Sequence, residues 1–459
     1  MRMTGSGAAS FVAQAPDTWD RPPLVAVRRT LANGLRVVLA ENHAVPLVWL
    51  NWVCQAGFEW DSPALAGVAA MTPSLLREGT AHRSADQITE DVDNLGANLV
   101  AGADWDAAFL NLDLLSADFA AGAELLIDMA CHPRFPEAAV ARACRRQLAE
   151  IDRRHRDPRA IADDELARAV HGPNVYGRSP IGTRATLERI DAADVAAFHR
   201  ARYTPGDSYL VVAGNFDSEE AADLLGSFKL PTVSLASPSS SPALAVDVDP
   251  SPGIRVVVVR PATHTELRIG HAGVARDSED LPALEVLNAV LGRGPSSRLA
   301  VRLRQREGLT YHVGSHVTAR RRGGHFVVDT GVATHAAPAA LAAIRREIDD
   351  LREVPVPAAE VEQAKRSLLG AELQRFQNLF GTGVAIGPVA LESDPVRHFD
   401  RRRQAIAAVE PEALRELARR YLHPDGLVAV VVGPAEVLKS QFRSSGAQGR
   451  EPLFFESIS

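Results

Sequence analysis

Residues 67–80 read Gly-Val-Ala-Ala-Met-Thr-Pro-Ser-Leu-Leu-Arg-Glu-Gly-Thr. They belong to a helical pattern that begins at about Leu65, behind a turn carrying Asp61 and Pro63. Pro73 is the discordant residue. Inside a helix it removes the N–H that would bond the Ala69 carbonyl and crowds that carbonyl, at about 3 kcal/mol. Alternatively, Thr72-Pro73 caps and restarts a shorter helix.

The elements around this segment occur twice. A β-branched strand at 35–39 follows an Asn33-Gly34 turn, and a second strand spans 47–54. The acidic turn and the helix come next. In the second half, strands at 254–259 and 265–272 precede Asp277, Asp280 and Pro282, then a helix from about Leu281 to Leu291. Both halves also close alike. Residues 207–216 (Asp-Ser-Tyr-Leu-Val-Val-Ala-Gly-Asn-Phe) match 425–433 (Asp-Gly-Leu-Val-Ala-Val-Val-Val-Gly), each after a helix ending in Tyr203 or Tyr421 and then a proline. Such self-similarity marks an internal repeat. A Pro/Ser-rich stretch at 230–253 reads as the linker between the halves. Strands and long helices within each half predict α+β domains, with helices on one face of a sheet.

With 459 residues, more than one core is expected. Hydrophobic residues make up 46% and charged residues 23%, the balance of an ordinary globular protein. A net charge of −7 disfavours a nucleic-acid partner. No apolar run approaches the ~20 residues of a membrane span, so no membrane partner is expected. Residues 1–20 lack a continuous apolar core, and no signal peptide is read there. The expected location is cytoplasmic, or periplasmic if a leader has been removed. Cys54, Cys131 and Cys144 fall at no metal or redox spacing and read as buried free thiols.

The frame Gly67, Ala69, Leu76, Gly79 and Thr80 resembles the metal motif of the M16 (pitrilysin, insulinase and mitochondrial processing peptidase) family. There the stretch reads like Gly-Leu-Ala-His-Phe-Leu-Glu-His-Met-Leu-Phe-Lys-Gly-Thr. On that alignment Ala70 and Ser74 replace the two histidines, and Pro73 replaces the general-base glutamate. The third ligand position is Glu150, 76 residues after Ser74. One carboxylate cannot hold a zinc ion that needs three protein ligands. The resemblance therefore implies a chain with no zinc of its own. It further implies two homologous α/β-sandwich domains forming half of a clamshell. Their expected bounds are an extension at 1–24, a first domain at 25–229, the linker at 230–253, a second domain at 254–440 and a tail at 441–459.

Residues 295–311, Pro-Ser-Ser-Arg-Leu-Ala-Val-Arg-Leu-Arg-Gln-Arg-Glu-Gly-Leu-Thr-Tyr, resemble the C-terminal-domain signature of the same family. Carried over by position, Arg304 and Tyr311 are the pair that holds the substrate backbone near the zinc. Donors aimed at a developing oxyanion can each contribute about 3 kcal/mol. In two-subunit members one chain carries the histidine motif and the other the Arg/Tyr pair. The resemblance thus implies a non-catalytic M16B-type subunit, inactive alone, whose partner is a zinc-bearing homologue and whose substrate is an unfolded peptide. The short Gly292–Pro295 loop is similar to the bacterial rather than the mitochondrial type. Two rival readings stay open: a scaffold subunit like the core proteins of the cytochrome bc1 complex, or a peptide carrier without peptidase activity.

Other features read as structural. His312 and His316 fall on one face of a strand about 13 Å apart, too far for one metal ion. His264 and His271 face opposite ways. Seven arginines between Arg142 and Arg159 read as a solvated helix face balanced by Glu150, Asp152 and Asp157. Phe376, Phe380, Gly381 and Gly383 read as core packing plus a turn.

Overall fold

The computed structural model describes residues 25–231, 253–258, 264–391, 393–444 and 453–457. The expected linker therefore lies almost wholly outside the described residues. Each half contributes a six-stranded sheet. The first contains β1 (Val27–Thr30), β2 (Arg36–Glu41), β3 (Leu47–Cys54), β4 (Asn98–Ala103), β5 (Ala108–Leu115) and β6 (Ser208–Gly214), in the order β1-β2-β6-β3-β5-β4. The second contains β7 (Gly253–Val258), β8 (Thr265–Gly273), β9 (Thr310–Arg320), β10 (Gly323–Val332), β11 (Val428–Gly433) and β12 (Leu453–Ser457), in the order β12-β7-β11-β8-β10-β9.

The repeat read from the sequence is visible strand by strand. The closing strands β6 and β11 are each third in their sheet, between a parallel neighbour (β2 or β7) and an antiparallel one (β3 or β8). The halves differ at one edge: β1 runs antiparallel to β2, whereas β12 runs parallel to β7. That sixth strand comes from the stretch expected to be a tail.

Helices cover both faces of each sheet, which corrects the expectation of one. In the first half these are α1 (Val68–Leu75), α2 (Ala85–Asn94), α3 (Phe119–Cys131), α4 (Glu137–Arg154) and α5 (Pro158–His171). Leu125, Leu126 and Met129 of α3 pack with Leu39, Leu50, Trp52 and Leu112 on one face of the first sheet. The opposite face, with Val38, Trp49 and Val211, is covered by Ile386 and Ala390 of helix Leu379–Ala390, from the second half. The exchange is reciprocal. Ile161, Leu166 and Val170 of α5 cover Val428, Val430 and Val432 of β11. Alternate residues of one strand thus enter two different cores, as the period of a strand dictates. Gly383 makes this packing feasible, because a Cβ there would collide with the Trp49 ring. Phe376 packs edge-on against Phe399 in the same cluster, while Phe380 is exposed.

A second contact between the halves is polar. The β9–β10 turn presents Arg320, Arg321 and Arg322 to the first half. Arg320 lies over the Trp105 and Tyr176 rings, 4.4 and 4.9 Å from their centroids. Arg321 pairs with the buried carboxylate of Glu59 at 2.8 Å and donates to Gln55 Oε1 at 3.0 Å. Arg322 stands 3.5 Å from the other Glu59 oxygen.

Beside this turn, His171 Nε2 and His325 Nδ1 are 3.2 Å apart. Burial, reinforced by Arg320, pushes His171 down to about 4 and His325 down to about 3. Both are neutral in the folded protein near neutral pH. An unfolded histidine titrates near 6.5. Below that value the unfolded chain takes up protons that the folded chain refuses, so stability is lost as pH falls from about 6.5 toward about 4. Each histidine is expected to contribute up to about 1.4 kcal/mol per pH unit in that window. Urea midpoints measured against pH check this. His325→Gln should flatten the slope, and an unchanged slope would refute the assignment.

Candidate functional site

The helix α1 is eight residues long and is preceded at its N-cap by Gly67, whose φ of 103° favours glycine. The N–H groups of Gly67 and Ala69 donate to the two Asp61 oxygens at 2.6 and 2.9 Å. Burial still pushes the Asp61 carboxyl up to about 7 against those bonds. Pro73 is buried within the helix, which runs through it and ends two residues later. Of the two sequence expectations, the helix tolerates the proline by stopping rather than by restarting.

Ala70 is half-buried and brings no ligand atom. Ser74 Oγ donates to the Met71 carbonyl at 2.8 Å, a bond within its own helix. Arg146 of α4 reaches the same oxygen at 3.5 Å. Glu150, one turn further along α4, is bound by both Arg153 nitrogens at 2.7 and 2.6 Å, which hold its carboxyl below the usual range. Ala70, Pro73, Ser74 and Glu150 therefore do not fit a zinc ion. The four positions supply one bare methyl, one proline, one hydroxyl turned to its own helix and one carboxylate already paired with arginine. Three other arginines of α4 and α5 are also paired: Arg142 with Glu78 at 2.6 Å, Arg154 with Asp164 at 2.5 Å and Arg159 with Glu266 at 3.3 Å.

The second-half residues lie differently. After Arg298 the chain winds into a wide turn, Ala300–Arg306, in which the Glu307 N–H reaches five residues back to the Arg302 carbonyl at 2.9 Å. Wide turns of this kind are frequent at functional sites. Its arginines have separate fates. Arg298 pairs with Glu360 at 2.7 Å, and Arg302 pairs with Glu347. Both anchor the turn to neighbouring helices. Arg304 makes no ion pair or hydrogen bond among the described residues, and it lines a cavity of about 520 Å³. Tyr311, the second residue of β9, lines the same cavity and is 95% exposed. The fold thus brings Arg304 and Tyr311 to one open space as unengaged donors. In addition, β9 is an edge strand of its sheet.

His312 and His316, read from the sequence as strand residues too far apart to share an ion, both line this cavity and converge on Asp329 of the neighbouring strand, which the sequence reading missed. His312 Nε2 lies 2.9 Å from one Asp329 oxygen, and His316 Nε2 lies 3.0 Å from the other. Asp329 sits on β10 directly opposite Gly314. The missing side chain at 314 leaves room for both rings to lean in over the carboxylate. Burial pushes the Asp329 carboxyl up, but bonds from His316 and His312 outweigh it and hold it low. The bond to Asp329 raises His316 against the effect of burial. Strand rise gives the spacing of the two backbones and misses this convergence of the side chains.

Residues 36–184 match the model of the insulinase (M16) peptidase family, and residues 189–368 match that of the M16 inactive domain. The chain belongs to the M16 peptidase family. An uncharacterized zinc protease of Streptomyces coelicolor is 27% identical over 403 residues, covering 86% of this chain and 87% of the relative. The crystal structure of a peptidase M16 inactive domain from Pseudomonas fluorescens superposes with a TM-score of 0.79 at 26% identity, covering 90% of this chain and 99% of that one. A chain of complex III2 from Candida albicans shares the fold alone, with a TM-score of 0.74 at 17% identity over 92% of this chain and 99% of that one. No helix among the described residues is long and apolar enough to cross a membrane.

Proposed function

We propose that this chain is the non-catalytic subunit of a two-chain M16B-type metallopeptidase of the bacterial type. A zinc-bearing homologue supplies the metal and the general base. This chain supplies Arg304 and Tyr311 as hydrogen-bond donors to the backbone of an unfolded peptide and to the charge that develops on its scissile carbonyl. The observation that carries this reading is the contrast between two sets of residues. The motif positions Ala70, Pro73 and Ser74 carry no ligand set, whereas Arg304 and Tyr311 are exposed, uncommitted and share one cavity. A purely structural subunit has no need to keep a guanidinium and a phenol free side by side.

Purification of the tagged chain from its native source tests the reading. The expected result is co-purification of a homologue that carries His-x-x-Glu-His at the positions equivalent to 70–74 of this chain, together with zinc-dependent peptidase activity. Recovery of an intact assembly with no such homologue favours the scaffold reading. Peptide binding by the chain alone, with no partner, favours the carrier reading.

A further inference from the structure

The connection after α1 and the end of α3 are laced together by backbone bonds. Thr80 bridges Pro133, the Ala81 N–H donates to the His132 carbonyl at 2.8 Å, and the Arg134 N–H donates to the Gly79 carbonyl at 2.7 Å. This lacing sets His82 and His132 around Asp128, which lies in the last turn of α3. His82 Nδ1 is 2.6 Å from Asp128 Oδ1, and His132 Nδ1 is 3.5 Å from the same oxygen. All three donor atoms lie within 4.8 Å of one another. The His132 Nδ1 is shielded from solvent yet has no hydrogen-bond partner among the described residues. Two imidazoles therefore aim one nitrogen each at a single oxygen, and only one of them is satisfied there.

The other Asp128 oxygen is held in place by Thr80 Oγ1 at 2.7 Å and Arg83 Nη1 at 2.8 Å. Asp91 and Glu124 also bind Arg83, at 3.0 and 2.9 Å. Three carboxylates thus surround one guanidinium, and the neighbourhood still favours a cation. A cavity of about 700 Å³ opens in front of the cluster.

We infer that His82, Asp128 and His132 form a site for one divalent transition-metal ion of the zinc class. Two imidazole nitrogens and one carboxylate oxygen are a donor set for zinc, cobalt, nickel or copper rather than for calcium or magnesium. Three protein ligands leave a fourth position open to the cavity for water. Ligands about 2.0–2.1 Å from a tetrahedral ion lie roughly 3.3 Å apart. His82 must then withdraw by less than about 1 Å from its present hydrogen bond, which an exposed ring at a loop position can do. Arg83 and Thr80 orient the ligating carboxylate from outside, as outer partners do in metal sites. The site is separate from Ala70, Ser74 and Glu150, and it would give this chain a metal that its motif positions led us not to expect. A bound ion would tie the loop after α1 to α3.

The test uses the full chain, stripped of metal and titrated with zinc chloride, with cobalt chloride for the visible spectrum. One equivalent of zinc should bind, and the cobalt form should show the absorption of a low-coordinate site. His82→Asn and His132→Asn should each weaken zinc binding by at least about 100-fold, more than the loss of an outer partner costs. Ser74→Ala with Glu150→Gln should leave it unchanged. Melting of the metal-free variants controls for folding. The exposed His82 variant decides the matter if His132→Asn is destabilised. No zinc uptake by the wild-type chain, or uptake unaffected by His82→Asn, would overturn the inference.

Discussion

Arg304→Ala and Tyr311→Phe are each expected to lower the peptidase rate of the reconstituted pair by about 100-fold, without dissociating it. The magnitude follows from what one preorganised donor contributes to a developing oxyanion, about 3 kcal/mol. Neither residue supports the fold. Arg304 pairs with no carboxylate among the described residues, unlike Arg298 and Arg302, and Tyr311 is 95% exposed. Their loss should therefore leave melting and complex formation unchanged. If both donors serve one oxygen, the double variant should lose less than the product of the two single losses. Arg302→Ala provides the contrast: it should destabilise the chain by breaking the pair with the buried Glu347. Full turnover by both Arg304→Ala and Tyr311→Phe in an intact complex would remove their proposed role.

Arg321→Ala is expected to destabilise the chain by about 3 kcal/mol. Glu59 is only 2% exposed, and it pairs with Arg321 at 2.8 Å. Removing one partner of a buried pair leaves a charge that water cannot reach, at about 3–5 kcal/mol. The longer contact from Arg322 persists and puts the expected loss at the lower end. The substitution also removes a cation from beside the Trp60 ring, 5.3 Å from its centroid. Glu59→Gln with Arg321→Met should recover much of the loss, because the uncompensated charge is then gone. Urea denaturation of the three proteins checks this. A loss below about 1 kcal/mol for Arg321→Ala, the range of an exposed pair, would show that the turn does not lock the two halves.

The repeat was legible because its ends are conspicuous in the sequence. The apolar runs closing at Gly214 and Gly433 became β6 and β11, in equivalent places of two sheets. Those same runs carry a second signal. Continuous burial from Ser208 to Gly214, rather than alternation, means that both faces are covered. Which helix does the covering was not legible. Helices α5 and Leu379–Ala390 cross to the other half's sheet, and hydrophobic periodicity states that a face is buried without stating against what. The need for glycine at 383 comes from the Trp49 ring across that junction, which local sequence does not reveal.

At the candidate site, the resemblance selected Arg304 and Tyr311, and the fold placed both on one cavity. The residues around them depend on cross-strand register. Gly314 opposite Asp329 lets His312 and His316 share a carboxylate, and no spacing within one strand reveals that. The cluster of His82, Asp128 and His132 depends likewise on the bridge between Thr80 and Pro133, which joins segments far apart in the chain.

The most direct measurement is the rate of peptide cleavage by the zinc-bearing homologue as this chain is added. The account predicts negligible cleavage by either chain alone, and a rate that rises and saturates at one chain per homologue. A homologue that cleaves at full rate alone, unchanged by any amount of this chain, would contradict it.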